Sequence, residues 1–316
     1  MRYMLLASIT VFASFTFAAV CGSALLFCTS RAIADRLDGF AASSRASLLF
    51  CLRLLPAALA IGCAFGIALP IFIWFEPRDT DEPLSRTLVT IAAFGVLLLL
   101  RGAWRALAAW RATARTRRQW QTSGRLVGDL EAPVPVYAID ASFPIVAVVG
   151  VRRPAMFVAE RVLAECSRDE LTAMMAHESA HVRAADNAKR FAARACPDLV
   201  GDGSAMHRAW LAAAEEAADA EAAASRPHRA ADLAQALIRV ARLAPMSAPG
   251  FASAFYSGGG IERRVRRLVD SSAAREVPIR VSGPLVWACG LVLIATVIAA
   301  APALHQFMEA VLRALP

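Results

Sequence analysis

Four long apolar runs set the frame of the chain. Leu5 to Phe27 and Leu54 to Phe75 contain no charged residue, the second despite Pro56 and Pro70. Thr87 to Leu100 is short for a bilayer crossing, so this third run must extend to about Trp104 with Arg101 snorkelling to the interface. The fourth, Val281 to Leu304, is again unbroken. Each suits the ~20 apolar residues that a helix needs to span the hydrocarbon layer. The first continues well past any small-residue cleavage site, so it reads as a retained span rather than a removed leader. Between the third and fourth runs the pattern changes. Val134 to Ile139, Ile145 to Val149 and Met156 to Val158 are β-type runs separated by turn signals. Ser167-Arg168-Asp169-Glu170 is a capping box that starts a helix, and Trp210 to Ala224 is an Ala-rich helical run without Gly or Pro. The expected fold is an α-helical membrane protein, three spans before and one after an α+β domain. The expected divisions are 1–104, 105–280 and 281–316.

Charge orients these spans. The chain is 58% hydrophobic with a mean hydropathy of +0.49, unusual for a soluble enzyme. The first connector carries Arg31, Arg36, Arg45 and Arg53, whereas the second is acidic at Glu76, Asp79, Asp81 and Glu82. Arg101, Arg105, Arg111, Arg115, Arg117 and Arg118 follow the third span, and Arg275 and Arg280 precede the fourth. By the positive-inside rule the N-terminus lies outside and residues 105–280 face the cytoplasm. The arginines beside Trp104, Trp110 and Trp120 read as a helix leaving the membrane along anionic headgroups. Net charge of +8 therefore reports topology, and no nucleic acid is expected as a partner.

The cytoplasmic stretch carries the chemistry. His177-Glu178-Ser179-Ala180-His181 places two imidazoles one turn apart on one helix face, within reach of a single zinc ion. Glu178 stands beside the first ligand as the base that would take a proton from water. Zinc wants a third protein ligand. An isolated acidic helix bearing Glu215, Glu216, Asp219 and Glu221 would read as a solvated face. Following an HExxH helix, Glu215 reads as that ligand, with Asp219 one turn on as the acceptor of a ligand histidine's N–H. The small sheet before the helix either holds an extended peptide on its edge or merely covers the helix. Seven cysteines form no disulfide framework, and no CxxC occurs. His207 and His228 have no assigned role; either could stabilise an oxyanion or lie on the surface. Ala244 to Gly260, with Pro245, Pro249, Gly250 and Gly258-Gly259-Gly260, reads as a loop, passive or gating.

Together these residues resemble the BlaR/MecR-type membrane metallopeptidases, the antirepressor family of bacteria. The resemblance rests on the three-plus-one layout and on Ser142-Phe143-Pro144 with Gly150-Val151-Arg152-Arg153-Pro154. It rests further on the run from His177 through Asp186-Asn187, on Glu215 with Asp219, and on Ile261-Glu262-Arg263-Arg264-Val265. It implies a zincin-like endopeptidase of the bacterial inner membrane, with one Zn2+ held by His177, His181 and Glu215, and Glu178 as catalytic base. Asp219 and Asp186 would support the ligands from behind. It also implies a protein substrate such as a transcriptional repressor, and self-cleavage after the catalytic core. The family's β-lactam receptors carry a penicillin-binding domain after the fourth span, whereas only His305 to Pro316 follow it here, so antibiotic sensing is not implied. Two alternatives stand beside this reading. One is an HtpX-like quality-control protease, whose spans are arranged two and two; the other is a non-proteolytic zinc-binding membrane scaffold or signal transducer.

Overall fold

Three helices long and apolar enough to cross a bilayer open the chain in the computed structural model, which describes residues 2–78, 84–226, 228–243, 258–270, 306 and 310. The first is α1 (Arg2–Leu37). The second is α2 (Ala42–Ile61) continued through a π-helical stretch, Gly62–Ala68, into α3 (Leu69–Phe75). The third is α4 (Arg86–Ser123). Pro70 has no N–H to donate back along the helix, and its ring crowds the carbonyl four residues earlier; the wide turn ahead of it relieves that conflict. The fourth expected span, Val281 to Leu304, lies outside the described residues.

These helices pack closely. Thr16 Oγ1 donates to the Ile91 carbonyl at 2.8 Å, joining α1 to α4. At Gly95 a Cβ would fall 2.8 Å from the Phe12 carbonyl oxygen, so only glycine permits this approach. Val11, Phe15, Ala60, Ala64 and Leu98 fill the space among the helices.

The helices are also longer than a span requires. At ~1.5 Å per residue, the 38 residues of α4 extend about 57 Å, nearly twice the ~30 Å hydrocarbon core. The basic stretch after the third span, expected as a helix, is the uninterrupted second half of α4. Trp110 packs edge-on against Phe191 at 6.3 Å, and Trp120 against Phe157 at 5.3 Å. At Gly102 an added Cβ would sit 2.7 Å from the Ala195 carbonyl oxygen, so helix and domain meet backbone to backbone.

A four-stranded sheet follows: β1 (Arg125–Val127), β2 (Val136–Ile139), β3 (Val146–Val149) and β4 (Ala155–Ala159), in spatial order β1-β2-β4-β3. β2 and β4 pair in parallel, while β1 and β3 run antiparallel to their neighbours. All five positions of β4, one of the two inner strands, are buried. Then come α5 (Glu160–Glu165), α6 (Arg168–Arg183), α7 (Asp186–Ala195), α8 (Ala205–Ala224), α9 (Arg229–Leu243) and α10 (Gly258–Val269). Val136, Met156, Val158, Val162, Met174 and Met175 form the core between the sheet and α6. Of the expected loop Ala244 to Gly260, only 258–260 are described; they form the first turn of α10, and the rest lies outside the described residues.

Helix α8 ties this domain to the spans. Trp210, Met206 and Ala213 pack into a cluster with Leu26 of α1 and Ala46 and Leu49 of α2, and Phe50 lies 5.3 Å from the Trp210 ring. The ends that meet α8 and α7 are those that the arginine pattern places inside. One buried ion pair locks the junction: Arg53 Nη1 donates to Asp198 Oδ2 at 2.8 Å, and both side chains are wholly buried.

Candidate metal centre

Local sequence sets the site's geometry before any long-range contact does. Ser167 Oγ accepts from the Glu170 N–H at 3.2 Å, and Glu170 Oε2 accepts from the Ser167 N–H at 2.7 Å, so the capping box fixes where α6 begins. His177 and His181 then follow one turn apart, inside the helix. Past α6 the chain turns sharply through Ala185, whose φ of 55° and ψ of 36° are left-handed. That turn starts α7 at Asp186, and Asp186 Oδ2 comes to 2.7 Å from His181 Nδ1. The next residue, Asn187, donates to the carbonyls of Val148 (2.9 Å) and Gly150 (3.2 Å), anchoring α7 to β3.

Helix α8 completes the cluster. Glu215 and Asp219, four residues apart, share the face turned towards α6. Asp219 Oδ1 lies 2.9 Å from His177 Nδ1. With both Nδ1 atoms next to carboxylates, both Nε2 atoms are left to present lone pairs on the other side. They lie 3.2 Å from each other, 3.5 Å (His177) and 3.6 Å (His181) from the oxygens of Glu215. Three ligands at ~2.0–2.1 Å from a tetrahedral zinc ion would be separated by roughly 3.3–3.4 Å. The triangle therefore fits that ion, and His177, His181 and Glu215 form a group able to hold a metal.

The electrostatics agree with the geometry. Burial alone would lower the His181 pKa, but the Asp186 and Glu215 carboxylates overcome it and raise it to about 10. His177 moves upward for the same reason, with Asp219 and Glu215 outweighing burial. Burial opposes ionisation of Glu215, yet the two histidines hold its carboxyl well below the usual range. Three carboxylates, those of Asp186, Asp219 and Glu215, thus face the two imidazoles. Two Nε2 atoms 3.2 Å apart can share at most one proton along that line.

Glu178 sits on α6 between the two histidines in sequence, half-buried, and among the described residues it makes no hydrogen bond or ion pair. Burial pushes its carboxyl pKa up, against the pull of His177 and His181, which suits a group that must accept and release a proton. Glu216 turns elsewhere, pairing with Arg45 and Arg267 rather than with the histidines.

One residue at the site had no role in the sequence reading. Arg264 of α10 grips Asp219 through two bonds of 2.7 Å, and its guanidinium also lies 3.4 Å from Glu215 Oε2 and from His177 Nε2. Periodicity puts Arg264 and Arg267 on one face of α10, but it groups Arg263 with Arg266 and Arg267 as readily, so only packing singles Arg264 out. Arg190 adds a second cation, 3.4 Å from Glu215 Oε1. His207 does not serve the site. It packs against Trp210 at 5.4 Å, about 12 Å along α8 before Glu215, and burial lowers its pKa. His228 is exposed, in the turn before α9, with a φ of 64°. Every cysteine among the described residues is a free thiol, and burial pushes that of Cys166 up to about 11.

Residues 129–239 match the sequence profile of peptidase family M48. The match covers β2 to β4, α5 to α8 and most of α9; it marks this region as that of a metallopeptidase, and the three apolar helices precede it. Arg264 and α10 lie beyond it. A comparison with curated proteins returned no match.

Proposed function

We propose that this chain is a membrane-embedded zinc endopeptidase that cleaves a protein at the cytoplasmic face of a bacterial inner membrane. The observation that carries the reading is the 3.2–3.6 Å triangle of His177, His181 and Glu215 with Glu178 on the same helix turn. Zinc, when bound there, would supply a Lewis acid that polarises the scissile carbonyl and acidifies water. The side chains do the rest. Asp186 pairs with His181 Nδ1 and Asp219 stands 2.9 Å from His177 Nδ1, so that each Nε2 faces inward. The Glu178 carboxylate takes the proton of the attacking water and returns it to the leaving amine.

The sheet suits a peptide substrate. Ile145 accepts from the Ala159 N–H at 2.8 Å, so in the β3–β4 register Val146 and Val148 turn their backbone groups to the free edge. Asn187 already takes the Val148 carbonyl, which leaves the Val146 N–H and C=O and the Val148 N–H to pair with an extended chain. The resemblance to antirepressor peptidases points to a regulatory protein such as a transcriptional repressor as substrate. Arginine asymmetry supports a cytoplasmic site.

Purified full-length protein in detergent tests the reading on an unfolded protein substrate. Wild type should contain one zinc and cleave, while chelator or His181→Ala should remove both properties. Glu178→Gln should keep the zinc and lose at least ~10²-fold in rate. Zinc-free wild type, or undiminished cleavage by Glu178→Gln, would overturn the proposal.

A further inference from the structure

Glu216, next to the third ligand of the proposed site, is held from two directions: by Arg45 of α2 and by Arg267 of α10. Arg45 is itself buried, and its other nitrogen holds Asp38, at the α1–α2 turn, at 3.1 Å. The first two spans thus reach through one guanidinium to the residue beside Glu215.

The packing around α8 explains why this contact matters. On the side facing α2, α8 presents mostly alanine, and a cleft of about 390 Å³ opens between α2, α6, α7 and α8. Ala42 and Ala46 line it from α2, Ala214, Ala217 and Ala218 from α8. Small side chains with space between them make shallow ridges, which resist sliding or rotation of a helix poorly. Bulky interlocking occurs at the start of α8, where Trp210 meets Phe50. Further along, the register of α8 depends on ion pairs. Glu215 and Glu216 share a backbone, so whatever fixes one fixes the other.

We infer that Arg45 is a positioning residue for the metal centre: through Glu216 it sets the height and rotation of α8, so a shift between the first two spans displaces Glu215 relative to His177 and His181. This rests on the zinc-site reading above, and deepens it by naming how the membrane helices control the site.

Full-length protein in detergent serves as the test, with zinc affinity measured by chelator competition and the ligand field read from the visible absorption of the cobalt-substituted protein. Arg45→Met keeps the length of the side chain and removes the charge. It should weaken zinc binding about tenfold or more and alter the cobalt spectrum, with little change in the unfolding temperature of the metal-free protein. Arg45→Lys should restore most of the affinity. Glu216→Gln attacks the same contact from α8, and its effect should fail to add to that of Arg45→Met; it carries the test if Arg45→Met does not fold. Unchanged affinity and spectrum in both variants, with zinc bound by wild type, would overturn this inference alone. A wild type that binds no zinc would overturn it together with the proposed function.

Discussion

Two buried clusters of charge lie on either side of α8, and they are built on opposite plans. At the junction with the spans, the groups satisfy one another. Arg53 donates to Asp198 at 2.8 Å and to the carbonyls of Ala193 (3.0 Å) and Val200 (2.7 Å), and Asp198 Oδ1 accepts the Val200 N–H at 3.0 Å. Within this ion pair, Arg53 Nε is the atom without a partner among the described residues. At the candidate metal centre the pairing is less complete: His181 Nδ1 meets Asp186, but His177 Nδ1, 2.9 Å from Asp219, forms no hydrogen bond, and both Nε2 atoms converge with the Glu215 carboxylate, which Arg190 and Arg264 approach only at 3.4 Å. Burial of charge therefore does not distinguish a working site from a structural bolt. The distinction lies in whether the buried groups complete one another or jointly require something else.

That contrast predicts different failures. The largest effect belongs to the junction. Arg53→Met strands Asp198 in a site where burial already raises its carboxyl pKa, and it should cost ~3–5 kcal/mol of global stability. Replacing both partners, Arg53→Met with Asp198→Leu, should recover most of that loss. Thermal unfolding in detergent reads both. If Arg53→Met melted like wild type and lost only zinc, the two clusters would not differ as described.

A smaller and different loss is expected at the metal centre. Asp219→Asn removes the charge that faces His177 Nδ1 and that Arg264 grips. Zinc affinity should fall ~10–100-fold, while the metal-free protein unfolds near its usual temperature. Isothermal competition against a chelator, run beside a melting curve, separates the two quantities. Equal damage to fold and affinity would mean that Asp219 is a bolt like Asp198.

How much of this could be read beforehand depends on the range of each interaction. The helix carrying His177 and His181, its Ser167–Glu170 start, and the shared face of Glu215 and Asp219 follow from spacing within single helices, where period alone brings residues together. Arg264 did not stand out, because α10 offers Arg263, Arg264, Arg266 and Arg267, and only packing against α8 chooses among them. Arg45 and Arg53 read in the sequence as topology signals, and a count of charges cannot show that both turn inward to grip acids more than 140 residues away. β1 is silent in the sequence for a local reason: three residues, two of them exposed, carry no alternation. The continuity of α4 through residue 104 is hidden in the sequence by its arginines, which change the composition without ending the helix.

The smallest expected effect separates the clusters by strain rather than by charge. Ala185 occupies the left-handed region at φ 55°, where a Cβ costs roughly 1–2 kcal/mol, and it does so at the metal centre. Ala185→Gly removes that cost but gives the unfolded chain more freedom, worth ~0.5–1 kcal/mol in the opposite direction. A net gain of about 0.5 kcal/mol should remain, raising the unfolding temperature by roughly 1 °C. Zinc binding should respond with the opposite sign. Ala185 confines the turn that places Asp186 Oδ2 at 2.7 Å from His181 Nδ1, and glycine would let that carboxylate explore other positions. A protein slightly more stable and slightly weaker for zinc, about twofold to threefold by chelator competition, would show that the turn exchanges fold stability for a fixed ligand geometry. If Ala185→Gly instead lowered the melting temperature and left zinc affinity untouched, the left-handed alanine would be serving the fold, and the metal centre would hold no more strain than the junction.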